Sequence, residues 1–118
     1  MQTNYSSFKQ GDLVIVDMHF SNLGESKVRP ALVISSTEYN QRGQDIIVLK
    51  ITSNVKPRPF SVLLSQRDLA SGSLQLESAI RADFPIAVEK SRITAKIAAV
   101  KPEVITEVKQ NLKRVLEI

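Results

Sequence analysis

GESKVRPALVISS, residues 24–36, is the stretch on which the reading of this chain turns. Ala31, Leu32, Val33 and Ile34 form an apolar run rich in β-branched side chains and bounded by turn formers, which reads as a buried strand. Pro30 pushes Arg29 toward extended backbone and suits the first residue of that strand. Arg29 then stands where a polar loop (Gly24, Glu25, Ser26, Lys27) enters a core strand. Such a cation has a fixed base and a solvated tip, which suits a phosphate. The bland alternative is a surface salt bridge to Glu25, worth at most about 1 kcal/mol.

Working outward, Gly11-Asp12 is a turn and Leu13 to Met18 a strand. Residues 19–28 show no period and read as a long loop joining this strand to the one at 30–36. Ser35 and Glu38 have capping-box spacing and Gly43 is a helix stop, so a short helix is expected over 36–42. DIIVLKIT, residues 45–52, is the next strand. SNVKPRP, residues 53–59, is a loop, because its two prolines forbid a central strand. Residues 60–64 return as a strand. Residues 65–71 are a turn with a short helical piece over 66–69, closed at Gly72. Alternation over 74–80 reads as a half-buried strand running into Arg81, interrupted at Asp83-Phe84-Pro85. Two further strands are expected at 86–88 and 95–100, with a turn at 89–92 between them. From Pro102 the period becomes helical: Val104, Ile105, Val108, Leu112, Val115 and Leu116 share one face, acids lie early and bases late. About seven short strands and one C-terminal helix make a mainly β chain, a small barrel or closed sheet.

The 118 residues suit a single domain, 1–118, with residues 1–10 expected to be loose. Hydrophobic residues make up 42% of the chain, enough for a real core. The formal net charge is +4, which favours an anionic partner but also fits an ordinary basic domain. With no cysteine, a thiolate nucleophile, a thiolate zinc site and a disulfide scaffold are excluded. His19 is the one histidine and cannot make a histidine metal cluster, so no metal or cofactor is expected. No apolar run is long enough for a transmembrane helix and the N-terminus has no apolar signal core, so the default expectation is cytoplasmic.

Four polar positions stand at the ends of apolar strands: Arg29, Thr52 with Ser53, Arg81 and Asp83. Each has a structural reading: a surface ion pair, a strand threonine with its turn serine, and a local pair closing a turn. They also form the inventory that RNA cleavage needs. The RNA 2′-hydroxyl is itself the nucleophile, so the protein supplies a base, an acid and donors for the charged phosphorus centre. Arginine offers a planar fork for phosphate oxygens, a carboxylate can serve as the base, and hydroxyls can hold a non-bridging oxygen.

The chain resembles the PemK/MazF family of toxins from bacterial toxin–antitoxin systems. The resemblance lies in GDLVIVD at 11–17, ESKVRPALVI at 25–34, ITS at 51–53, SAIRAD at 78–83, VEKSRI at 88–93 and the helix after KPE at 101–103. It implies an SH3-like barrel, a homodimer, and a metal-independent endoribonuclease that cuts single-stranded RNA to 2′,3′-cyclic phosphate and 5′-hydroxyl ends. It also implies a cognate antitoxin that blocks the site. Position by position, Arg29 matches the family's catalytic arginine, Thr52 its strand-end hydroxyl with Ser53 beside it, and Glu25 an acidic loop residue. Arg81 and Asp83 match an arginine–acid pair of one branch, with Asp83 a candidate base and Arg81 a candidate acid or clamp. Lys27, Lys56, Arg58 and Phe20 join Ser53 as candidate RNA-binding residues, and Phe84 is a second loop aromatic. Two departures stand out: Gly24 replaces a histidine found in some relatives, and the first strand lacks a tryptophan. Two other readings fit the same barrel: a catalytically degenerate member that only binds antitoxin or nucleic acid, and a gyrase poison.

Overall fold

The computed structural model describes residues 8–19 and 26–118. Its strands are β1 (Asp12–His19), β2 (Ser26–Val33), β3 (Asp45–Thr52), β4 (Ser61–Leu64), β5 (Leu69–Gly72), β6 (Ser78–Glu89) and β7 (Ile93–Val100). Helix α1 spans Thr37–Arg42 and α2 spans Pro102–Leu116. The strands form one curled antiparallel sheet in the order β4-β6-β3-β2-β1-β7-β5, with β4 and β5 at its edges.

The apolar runs are continuous because the central strands are buried on both faces. Leu13, Leu32, Leu49 and Ile80 point into one core, together with Val104 and Val108 of α2. Val14, Val16, Val33, Ile46 and Val48 point into the other, with Val88 and Ile93. Helix α2 packs on β6 and β4 and closes the first core. Leu49 has no exposed surface, and its truncation to Ala would cost about 2–5 kcal/mol.

Several boundaries depart from the sequence reading. Strand β2 begins at Ser26, four residues before Pro30, and Pro30 lies within it opposite Ile15. The proline is tolerated because β3 pairs only with Ala31–Val33, so no second ladder needs its missing N–H. Likewise Asp83-Phe84-Pro85 does not interrupt a strand. Strand β6 runs through it, because β4 pairing stops at Arg81 and frees one side at Pro85. The expected strand over 74–80 begins only at Ser78, and the expected turn over 65–71 contains β5. The total of seven strands survives because two expected strands merge and one is added.

Residues 8–10 are docked rather than loose. Phe8 is buried, and its carbonyl accepts a hydrogen bond from Asn40 Nδ2 at 3.0 Å. Gln10 Nε2 donates to the Ile34 carbonyl at 2.7 Å. The helix cap is Ser36, whose hydroxyl accepts from Tyr39 N at 3.1 Å, rather than Ser35. Ser35 is drawn inward: its hydroxyl bonds to Asn40 Oδ1 and accepts from Ile47 N at 2.9 Å. The 19–28 loop is shorter than expected at its far end, since residues 26–28 are strand; residues 20–25 lie outside the described residues.

Candidate functional site

The sheet opens where β2 and β3 part. Their pairing ends at Ala31 opposite Lys50, and beyond it β2 stays with β1 while β3 stays with β6. The gap between the diverging strands is a groove of about 840 Å³. One side is Lys27, Arg29 and Pro30 from β2. Lys50, Ile51, Thr52 and Ser53, at the end of β3, form another. Residues 73–76, with Ser78, make the opposite wall. Ile15, Met18 and Ile97 supply apolar surface.

The opposite wall is built by a glycine and a glutamine. Gly72 has φ +82°, and a Cβ there would lie 2.1 Å from the Ile97 carbonyl oxygen, so only glycine fits where the chain leaves β5. Gln66 then clamps the turn from the side. Its Nε2 donates to the Gly72 carbonyl at 3.1 Å, and its Oε1 accepts from Leu74 N at 2.9 Å.

Electrostatically the groove is one-sided. Lys27, Arg29 and Lys50 line it, and among the described residues no carboxylate does. Arg29 makes no ion pair among the described residues; Glu25, the partner considered from sequence, lies outside them. The Thr52 hydroxyl accepts from Asn54 N at 3.1 Å, a local turn that fixes its direction. A hydroxyl has one donor and two acceptor positions, so its O–H remains free to donate. The turn role and a phosphate-contacting role are therefore compatible in this residue.

Of the residues singled out in the sequence, the structure brings Arg29, Lys27, Thr52 and Ser53 together around this groove. Arg81 and Asp83 do not line it. They sit on β6 in a two-pronged ion pair, Nε to Oδ1 at 2.8 Å and Nη2 to Oδ2 at 3.0 Å. Hydrogen bonding from Arg81 holds the Asp83 carboxyl below its usual range, with Arg58 adding a smaller attraction, and the same bond raises Arg81. Lys56 and Arg58 are exposed on the 53–59 loop and do not line the groove. Phe20 and Glu25 are outside the described residues. Among the described residues no group of three or more His, Cys, Asp or Glu is placed to hold a metal ion.

Sequence reasoning missed Lys50, Ser73, Gln75 and Ser78. Lys50 had a signal: it is the one charged residue inside the run Ile46 to Ile51. Ser73 and Gln75 had none, because their alternation with leucines imitates a strand.

The fold agrees with that of known proteins. A MazE–MazF complex from Deinococcus radiodurans is 27% identical, covering 93% of this chain and 96% of that one, with a TM-score of 0.77. MazF alone from the same organism gives 26% identity over 93% and 96%, with a TM-score of 0.74. An endoribonuclease from a mycobacterial species has the same fold at 17% identity, covering 95% and 93%, with a TM-score of 0.77. No curated protein sequence matches the chain. The model of the PemK-like, MazF-like toxins matches residues 9–116, almost the whole length. The chain belongs to the PemK-like, MazF-like toxins of type II toxin–antitoxin systems.

Proposed function

We propose that this toxin is an endoribonuclease that cuts single-stranded RNA without a metal ion. The observation that carries the reading is the groove itself: three cations and the Thr52 and Ser53 hydroxyls gathered around one concavity. A phosphodiester backbone is the polyanion such a groove suits.

In the proposed reaction the RNA 2′-oxygen forms a bond to phosphorus and the bond from phosphorus to the 5′-oxygen breaks. The 2′ proton goes to a base and the departing 5′-oxygen takes up a proton. The products are a 2′,3′-cyclic phosphate and a 5′-hydroxyl. Arg29 stabilises the charge developing on the phosphoryl oxygens and is the candidate acid. Thr52 and Ser53 hold a non-bridging oxygen. Two carboxylates compete for the role of base, Glu25 and Asp83. Asp83 enters with a handicap: both its oxygens are engaged by Arg81, and its lowered pKa weakens it as a proton acceptor. Glu25→Gln is therefore expected to slow cleavage more than Asp83→Asn.

The partner in the cell is a cognate antitoxin, by analogy with the Deinococcus radiodurans MazE–MazF complex. It covers the groove with an extended segment whose acidic side chains meet the same cations. The working unit is a homodimer in the cytoplasm; sedimentation of the purified toxin tests its stoichiometry.

The deciding experiment incubates the protein in EDTA with a long single-stranded RNA and maps the ends. Discrete cuts with 5′-hydroxyl and cyclic-phosphate ends, lost in Arg29→Ala, support the reading. Intact RNA across many sequences with binding retained points to a member that only binds. Intact RNA with trapped DNA breaks points to a gyrase poison.

A further inference from the structure

We propose that Lys50 is a third phosphate-binding cation of the groove, held in position by Phe84, and that Arg81 and Asp83 act through Phe84 as a brace. The inference rests on the RNA reading above and deepens it.

Lys50 occupies an unusual place in the sheet. On β3 it lies between Leu49, paired with Pro85, and Ile51, paired with Ile80. Four residues of β6, Arg81 to Phe84, thus stand opposite this single lysine. A bulge of that size re-aims the side chains around it. Lys50 is half-buried and lines the groove, and a lysine so placed covers its stem while keeping its ammonium toward solvent.

The ammonium makes one ring contact among the described residues. Its Nζ lies 4.9 Å from the Phe84 ring centroid, within range of a cation–π attraction. No hydrogen bond or ion pair holds it among the described residues. Arg81 lies over the same ring, with Cζ 5.6 Å from the centroid. The two basic groups nevertheless differ in what they have left to offer. The Arg81 fork is committed to Asp83 through two hydrogen bonds, and that pair does not line the groove. Lys50 does line it, and among the described residues its charge has no anionic partner. A cation packed against an aromatic face, beside Lys27 and Arg29 and with no carboxylate among the described lining residues, is suited to a phosphate oxygen. The Asp83–Arg81–Phe84 array then has a task that needs no proton transfer: it orders the ring on which Lys50 rests.

The test uses a 2′-O-methylated single-stranded RNA of mixed sequence, which lacks the attacking hydroxyl and stays intact. Affinity is measured from about 50 to 200 mM salt for wild type, Lys50→Met, Lys50→Gln, Lys50→Arg, Phe84→Leu and the Phe84→Leu/Lys50→Met double variant. Loss of one phosphate contact is expected to reduce the slope of log affinity against log salt by about 0.7 in Lys50→Met and Lys50→Gln. Lys50→Arg should keep the wild-type slope. Phe84→Leu should weaken binding several-fold with the slope retained, and that loss should vanish in the Lys50→Met background, which a merely structural role for Phe84 would not produce. Wild-type affinity and slope in Lys50→Met would overturn the assignment and leave the RNA reading standing. Weaker binding by Phe84→Leu that persists in the double variant would overturn the brace. A wild-type protein that neither binds RNA in a salt-dependent way nor cuts it would overturn the RNA reading itself, and the role of Lys50 with it.

Discussion

Arg81 and Asp83, two residues apart on β6, grip each other through two parallel hydrogen bonds of 2.8 and 3.0 Å. A strand places such neighbours on one face, which lets a short acid reach a planar fork. The Asp83 carboxyl is held below its ordinary value by that bond. A carboxyl whose folded pKa is depressed contributes stability above its unfolded pKa, about 3.9, and loses it as pH falls through the folded value. Wild type should therefore exceed Asp83→Asn in stability at pH 7, by about 1 kcal/mol for this partly covered pair. The gap should close below about pH 4. Urea midpoints of both proteins at pH 7 and pH 3 check this.

Arg29→Ala is expected to reduce cleavage of single-stranded RNA by at least about 10²-fold, the usual consequence of removing a transition-state donor. Its melting temperature should stay near that of wild type, because the exposed side chain packs into neither core. Single-turnover cleavage alongside thermal melting separates the two effects. A folded variant that cuts at the wild-type rate would remove Arg29 from the mechanism.

The Thr52 hydroxyl accepts from Asn54 N, and in the proposed mechanism its O–H donates to the phosphate. Thr52→Ser keeps both and should retain most activity. Thr52→Val keeps the shape and loses both, so its cleavage rate should drop by about tenfold or more while the strand pairing to Ala79 persists. Equal rates for the two variants would show that the hydroxyl does not touch the reacting phosphate.

Gly72→Ala should be the most damaging small substitution in the groove wall. The new Cβ meets backbone, the Ile97 carbonyl, which cannot swing aside, and the residue must also hold a positive φ. A loss of about 1–3 kcal/mol is expected from the strained backbone alone. Gln66→Ala, by contrast, removes two hydrogen bonds from an exposed side chain. It should cost little stability and still weaken RNA binding, with the salt slope unchanged because no charge is lost. Paired melting curves and binding isotherms distinguish the two variants.

Asn40 carries the one fully buried amide of the short helix, bonded to Phe8, Ser35 and, through Ser35, Ile47. Asn40→Ala would leave the Phe8 and Ser35 carbonyls without this donor and is expected to cost about 1–3 kcal/mol. A chemical denaturation curve measures it.

The sequence made the strands at 12–19 and 45–52 and the helix from Pro102 legible because their signals are local: unbroken β-branched runs, and an apolar face with period near 3.6. Arg29 and Thr52 were legible for the same reason, each being a polar residue at the border of such a run. What could not be read there was partnership between distant strands. Pro30 and Pro85 looked like strand boundaries because a proline lacks a donor, yet each lies on a stretch whose neighbour on one side has ended. Residues 73–76 alternate like a strand, but Gly72 and Gln66 turn them into a groove wall. Lys50 looks like an ordinary strand residue until the β6 bulge shows what lies opposite it.

The order in which the strands pair has a consequence for synthesis. Strands β1, β2 and β3 follow one another and can pair as they emerge, but β4 waits for β6 and β5 waits for β7. The groove needs the first three strands for its cations and the last pairing, Gly72 against Ala98, for its opposite wall. Contacts between segments so far apart in the chain are late ones to form. A nascent chain of which only the first ninety residues have emerged can therefore pair β1, β2, β3, β6 and β4 while the groove still lacks its opposite wall.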